Sequence, residues 1–148
     1  MIEIKNIEKT RLNKKALLKI IKKYSNSKKD ILLVFDGRLG IFGYYKYNSK
    51  KHRHEIKIST RTHQFKDRMS RVYEMIGTVL HELKHLQQHE SVGSVAFMGD
   101  KLSRNERIKS MEGADYFSVR ECEARTFEEK NVLPATDFYW KCLKKLVR

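Results

Sequence analysis

Residues 81–85 read His-Glu-Leu-Lys-His, a complete H-E-x-x-H set inside a strongly helical stretch, residues 69–88. Two imidazoles four residues apart on a helix lie one above the other on the same face, so both reach a single tetrahedral Zn²⁺. Glu82 sits beside the first His and can lean over the metal, where a carboxylate is suited to take the proton of an attacking water.

The surrounding pattern agrees. Met69, Val72, Tyr73, Ile76, Val79, Leu80, Leu83 and Leu86 recur at three- and four-residue intervals, a stripe roughly 140° wide on a helical wheel. His81 and His85 fall nearly opposite it, with Ser70, Glu74, Gly77, Thr78 and Gln88. The helix thus has an apolar back to bury and a polar front that can line a cleft. All three motif residues on the right face favour a metal over two solvated histidines.

Two histidines and a water leave a catalytic zinc site one protein ligand short. His89 is a further helical turn along, about 6 Å from His85 at the helical rise, and points past the metal. The extended form H-E-x-x-H-x-x-G-x-x-H is absent, because Gln88 stands at the Gly position and Ser91 at the last His. The third ligand is therefore expected to be a carboxylate from a second helix. Downstream, Glu112, Asp115, Glu121 and Glu123 are within reach. On the wheel Glu123 falls with Tyr116, Val119 and Phe127 on an apolar side, and Glu121 with Arg125 and Glu128 on a polar one. A cleft-facing Glu121 is the favoured partner, with Glu123 as the alternative.

The rest of the chain supplies a scaffold. Its 148 residues suit a single domain spanning residues 1–148. Cys122 and Cys142 form no disulfide framework. No signal-peptide core or run of membrane-spanning length is present, so a cytoplasmic location and no membrane span are expected. Thr10 is placed to cap a helix reaching Tyr24, with Leu12, Ala16, Leu17, Ile20, Ile21 and Tyr24 inward and Arg11, Lys14, Lys15, Lys19, Lys22 and Lys23 outward. Residues 1–9 form either a short strand or an irregular lead-in. Residues 31–35 read as a buried strand, 39–47 as its hairpin partner or neighbour, and 55–60 as a half-buried strand.

This last strand is a candidate edge for binding an extended peptide. His52 and His54 could chelate a second ion, although among so many basic residues they are expected to face solvent. Residues 90–101, with Gly93 and Gly99, suggest a loop or lid, and 103–109 are basic. A helix follows Gly113 as far as Lys130, Pro134 ends it, and residues 138–146 make a last short helix.

Thr78-Val79-Leu80-His81-Glu82-Leu83-Lys84-His85, then Glu121-Cys122-Glu123-Ala124-Arg125-Thr126-Phe127, then Leu133-Pro134 resemble the gluzincin arrangement. The closest likeness is to the ImmA/IrrE metallopeptidase family, over residues 40–134. The resemblance implies an α+β, zincin-like minimal metalloprotease domain. Its parts would be an N-terminal helix, a small three-stranded, mostly antiparallel sheet, an active-site helix and a C-terminal ligand helix. It implies His81, His85 and Glu121 as zinc ligands, Glu82 as catalytic base, and Ala124 as the small residue that lets the helices approach. Arg125 departs from the family's Asn, and a guanidinium cannot accept a hydrogen bond from an imidazole N–H. The second shell must then be supplied differently.

The expected activity is zinc-dependent peptide-bond hydrolysis, with a regulatory protein as the substrate implied by the family. Tyr116, His63 and His89 are candidates to stabilise the oxyanion. A net charge of +14 admits an acidic partner or nucleic acid. It also sustains the alternative of a non-catalytic basic nucleic-acid-binding module on a zincin scaffold.

Overall fold

The structure is a computed structural model that describes residues 1–61, 67–102 and 111–147, with side chains described except at 92–102, 111–118 and 147. Strand β1 (Ile2–Lys5) leads through a 3₁₀ turn (Ile7–Lys9) to helix α1 (Lys14–Ser25). Strands β2 (Asp30–Asp36), β3 (Gly43–Asn48) and β4 (Arg53–Ser59) follow, then the long helices α2 (Arg68–Leu102) and α3 (Met111–Val147). No helix among the described residues is long and apolar enough to cross a membrane.

The chain is α+β, as expected, but its sheet has four strands in the order β1-β2-β4-β3. The three-stranded, mostly antiparallel expectation is corrected on two counts. The lead-in is a strand, and it pairs in parallel with β2, which in turn pairs in parallel with β4. Among the described residues only β3 and β4 pair antiparallel. Parallel neighbours need a crossover, and α1 provides it between β1 and β2.

The register builds the core in rows across one sheet face. Ile4, Leu33, Ile56 and Tyr45 line up in one row; Ile2, Ile31, His54 and Tyr47 form the next. These rows join the buried sides of α1 and α2 in a single apolar cluster that takes in Leu17, Ile20, Ile76, Leu80 and Leu83. Helix α3 packs against both α1 and α2. The opposite sheet face carries charged residues, with Glu55 paired to Lys46 at 3.7 Å and to Arg53 at 3.1 Å.

Local chemistry sets the helix ends. Asn13, not Thr10, caps α1, its side chain accepting from Ala16 N–H at 3.0 Å. Thr10 instead closes the preceding turn, donating to Ile7 O at 2.7 Å and accepting from Leu12 N–H at 3.0 Å. Asp67 caps α2 by accepting from the backbone and the hydroxyl of Ser70, both at 2.7 Å. These bonds favour its ionised form and hold the carboxyl below its usual range.

Four further expectations change. β3 does not form a hairpin with β2; it pairs with β4, so β4 is interior and β3 is the edge strand. Residues 90–101 continue α2 rather than forming a loop. Pro134 lies inside α3 instead of ending it. The residue lacks an N–H for the carbonyl of Lys130, yet both positions are exposed, where water can replace the lost bond. Met69 is exposed, and Met75 takes its place in the buried stripe of α2.

Candidate metal centre

Helices α2 and α3 run antiparallel along the stretch that matters: His81 of α2 meets Glu121 and Glu128 of α3, while Gln88 meets Arg120 and Glu123. Their close approach depends on two small residues. Ala124 is fully buried. A Cβ on Gly77 would come within 2.9 Å of Glu128 Oε2 and 3.4 Å of Val132 Cγ2. The packing brings a carboxylate from one helix onto two imidazoles of the other.

Glu121 Oε2 lies 3.2 Å from His81 Nε2, and Glu121 Oε1 lies 3.1 Å from His85 Nε2. One ligand atom from each of His81, His85 and Glu121 falls within 4.8 Å of the others, and this group could hold a metal ion. The donor chemistry fits: two imidazole nitrogens and a carboxylate are the ligand set of one class of catalytic zinc site. Glu123 is exposed and accepts from Gln88 Nε2 at 3.0 Å instead of joining the group. The structure thus brings together His81, His85 and Glu121 of the expected set.

The outer nitrogens of both rings are also engaged. His81 Nδ1 sits 3.2 Å from Glu128 Oε1, and His85 Nδ1 sits 2.8 Å from Gln88 Oε1. Gln88 is held in turn by donating to Arg120 O at 3.1 Å. An acceptor on the outer ring nitrogen orients a metal-ligating His and raises its basicity. Glu128 and Gln88 therefore fill the role that exposed Arg125 cannot. Sequence reasoning assigned neither, although Glu128 stands seven residues, two helical turns, beyond Glu121 on the same face.

Electrostatics couple these groups. Burial alone would lower the pKa of His81, but the bonds to Glu121 and Glu128 outweigh it and raise the value to about 9. The same contacts with His81 and His85 hold the Glu121 carboxyl far below its usual range. Glu82 is buried, 5% exposed, and its charge also favours the protonated form of His81. Its neighbour one turn back, Thr78, packs against β3, because a Cβ on Gly43 would approach Thr78 Cγ2 to 3.1 Å. Glu82 therefore lies on the side of α2 that faces the edge strand.

The other histidines behave differently from expectation. His52 is exposed, with φ of 50°. His54 is fully buried, so the two do not chelate together and His54 does not face solvent. With His54 Nε2–H donating to Glu90 Oε1 at 2.8 Å, Nδ1 is left to accept from the Tyr45 hydroxyl at 2.7 Å. Ser27 Oγ donates to the same Glu90 oxygen. His89 is buried against Tyr45, Tyr47 and His54, with its ring 4.8 Å from that of Tyr47, and so belongs to this cluster. Of the remaining candidates, His63, the basic segment 103–109 and the side chains of Glu112, Asp115 and Tyr116 lie outside the described residues.

Comparison with known proteins returns no match: no family model, no curated protein and no solved structure matches the chain.

Two outcomes follow from that geometry. Glu128→Gln removes the charged acceptor on His81 and should weaken zinc binding about 10- to 100-fold, read by competition with a chelating dye. In the metal-free protein, the His81 contribution to stability is complete below its ordinary value of 6.5 and disappears as pH rises through about 9. The Glu121 contribution is present above its ordinary 4.5 and fades at lower pH. Both describe one cluster, which should stabilise the metal-free fold most between 4.5 and 6.5. Urea denaturation across pH should show that loss on the alkaline side for wild type and a flatter profile for His81→Ala.

Proposed function

We propose that the chain is a zinc-dependent peptidase of the zincin type, similar in chemistry to the ImmA/IrrE family, acting on a protein substrate of regulatory class. The observation that carries this reading is the convergence of His81 Nε2, His85 Nε2 and the two Glu121 oxygens. An ion pair alone would need only one imidazole on Glu121, whereas here two imidazoles present their inner nitrogens to one carboxylate and each outer ring nitrogen has its own acceptor.

In this reading His81, His85 and Glu121 hold the ion. Zinc bound there supplies a Lewis acid that lowers the pKa of a water and polarises a carbonyl. Glu82 accepts the proton of the attacking water and later delivers it to the leaving amine. The edge strand β3 offers main-chain groups to an extended peptide, which would lie beside the turn of α2 carrying Thr78 and Glu82. This role passes to β3 from β4, which is interior.

Zinc-loaded wild type should hydrolyse an unfolded protein such as dye-labelled casein. Glu82→Gln should retain its zinc and lose activity by about 10²-fold or more. Undiminished cleavage by Glu82→Gln would exclude this mechanism.

A further inference from the structure

The charge of the chain is not spread evenly. Residues 9–29 contain nine Lys or Arg and no Asp or Glu, and residues 138–148 contain four and none. The fold places these two segments side by side. Asn13 N–H donates to the Tyr139 hydroxyl at 2.8 Å, and Lys23 Nζ lies 4.6 Å from the centre of the Phe138 ring.

Five lysines of α1, at 14, 15, 19, 22 and 23, are all exposed. Basic side chains elsewhere form the ion pairs seen among the described residues: Lys5 with Glu3, Arg38 with Asp36, and Lys46 and Arg53 with Glu55. None of those pairs involves an α1 lysine. The acids that flank the two segments are Glu8, Asp30 and Asp137, all exposed; Asp30 pairs with the Met1 N-terminus at 2.7 Å, and none of the three forms one of these pairs with an α1 lysine. A cluster of like charges without internal counter-charge repels itself, and a polyanion relieves that repulsion.

The spacing suits a phosphate backbone. Lys15, Lys19 and Lys22 form a ridge opposite the buried Leu17, Ile20 and Ile21. Successive members are about 4.5–6 Å apart along the axis. Nucleic acid presents a phosphate about every 3.4 Å of axis on each strand, so the ridge can meet several together. Phe138, Lys141 and Lys145 share a side of α3 at offsets of three and seven, which widens the surface next to Lys23.

Two alternatives fit less well. Insertion into a bilayer needs an apolar helix side, and that of α1 is consumed by the core, with Ala16, Leu17, Ile20 and Ile21 at most 1% exposed. Bidentate reading of a base edge is favoured by the planar forks of Arg, Asn and Gln, and α1 from Lys14 to Ser25 has none of these, only the point charges of Lys.

We propose that the outer side of α1, widened by Lys141 and Lys145, is a docking surface for the phosphate backbone of nucleic acid, without sequence preference. This does not rest on the peptidase reading, because no residue of the ridge belongs to the metal cluster.

The test is fluorescence anisotropy of the full chain with a labelled random-sequence duplex across a salt titration. Three to five phosphate contacts predict a slope of log K against log salt of about −3 to −5. Replacing Lys15, Lys19 and Lys22 by Gln should make that slope shallower by about 2.7 and weaken low-salt binding at least about tenfold. Lys50→Gln with Lys51→Gln, in the exposed turn before β4, should leave both unchanged, as should His81→Ala. Matching circular dichroism spectra exclude unfolding as the cause. Absence of duplex binding, or a salt slope unaffected by the ridge variant, overturns the proposal. Ridge-dependent binding to phosphatidylserine vesicles that exceeds duplex binding also overturns it, in favour of a membrane surface.

Discussion

A carboxylate on one helix can sit about 3 Å from two imidazoles on another only if the two backbones approach closely. The whole site depends on that approach. Gly77 and Ala124 make it sterically possible, and the buried stripe of α2 from Val72 to Leu86 fixes which side of the helix is left to face α3. Once the helices are registered, Glu121 and Glu128 are delivered together, being two turns apart on one face. Glu121 meets the inner nitrogens of His81 and His85; Glu128 takes the outer nitrogen of His81. A larger residue at position 77 would collide first with Glu128, so the same close approach that packs the helices also seats the carboxylate that holds His81.

The sheet has a separate task. Helix α2 rests on the antiparallel pair β3 and β4, and β3 forms the margin beside the turn that carries Glu82. Gly43 begins that margin where its backbone passes close to Lys57 O and the Thr78 methyl. Farther along, Tyr45 and Tyr47 meet His54, His89 and Glu90 in a polar cluster buried against α2. This second contact, one turn beyond His85, ties the edge strand to α2 at another height. Burial lowers the pKa of His54 despite the opposing influence of Glu90, which keeps the cluster neutral at the imidazole.

The cluster of His81, His85 and Glu121 was legible because its information is local. H-E-x-x-H occupies one and a half turns, and the wheel positions of Glu121 and Glu123 separate them without knowledge of the fold. Glu128 was visible on the same wheel, but its role depends on how far α3 slides along α2. Strand pairing was less legible, because a four-residue strand such as β1 gains its place only from distant residues in β2 and from the crossover through α1. His54 looked solvent-facing among basic neighbours, yet it shares its side of β4 with Ile56 and Ile58, and that alternation pointed inward. Gly93, Gly99 and Pro134 resembled helix ends; past Pro134 the helix is held by the burial of Ala135, Tyr139 and Cys142, which offsets the local cost of the proline.

The central claim is that His81, His85 and Glu121 together form one metal site. The most direct measurement is elemental analysis of protein purified without a histidine tag, for wild type, His85→Ala and Glu121→Ala. The geometry predicts one zinc per chain in wild type and loss of that zinc in each variant. A well-folded wild type that takes up no metal when zinc is supplied, or full zinc retention in Glu121→Ala, would contradict it.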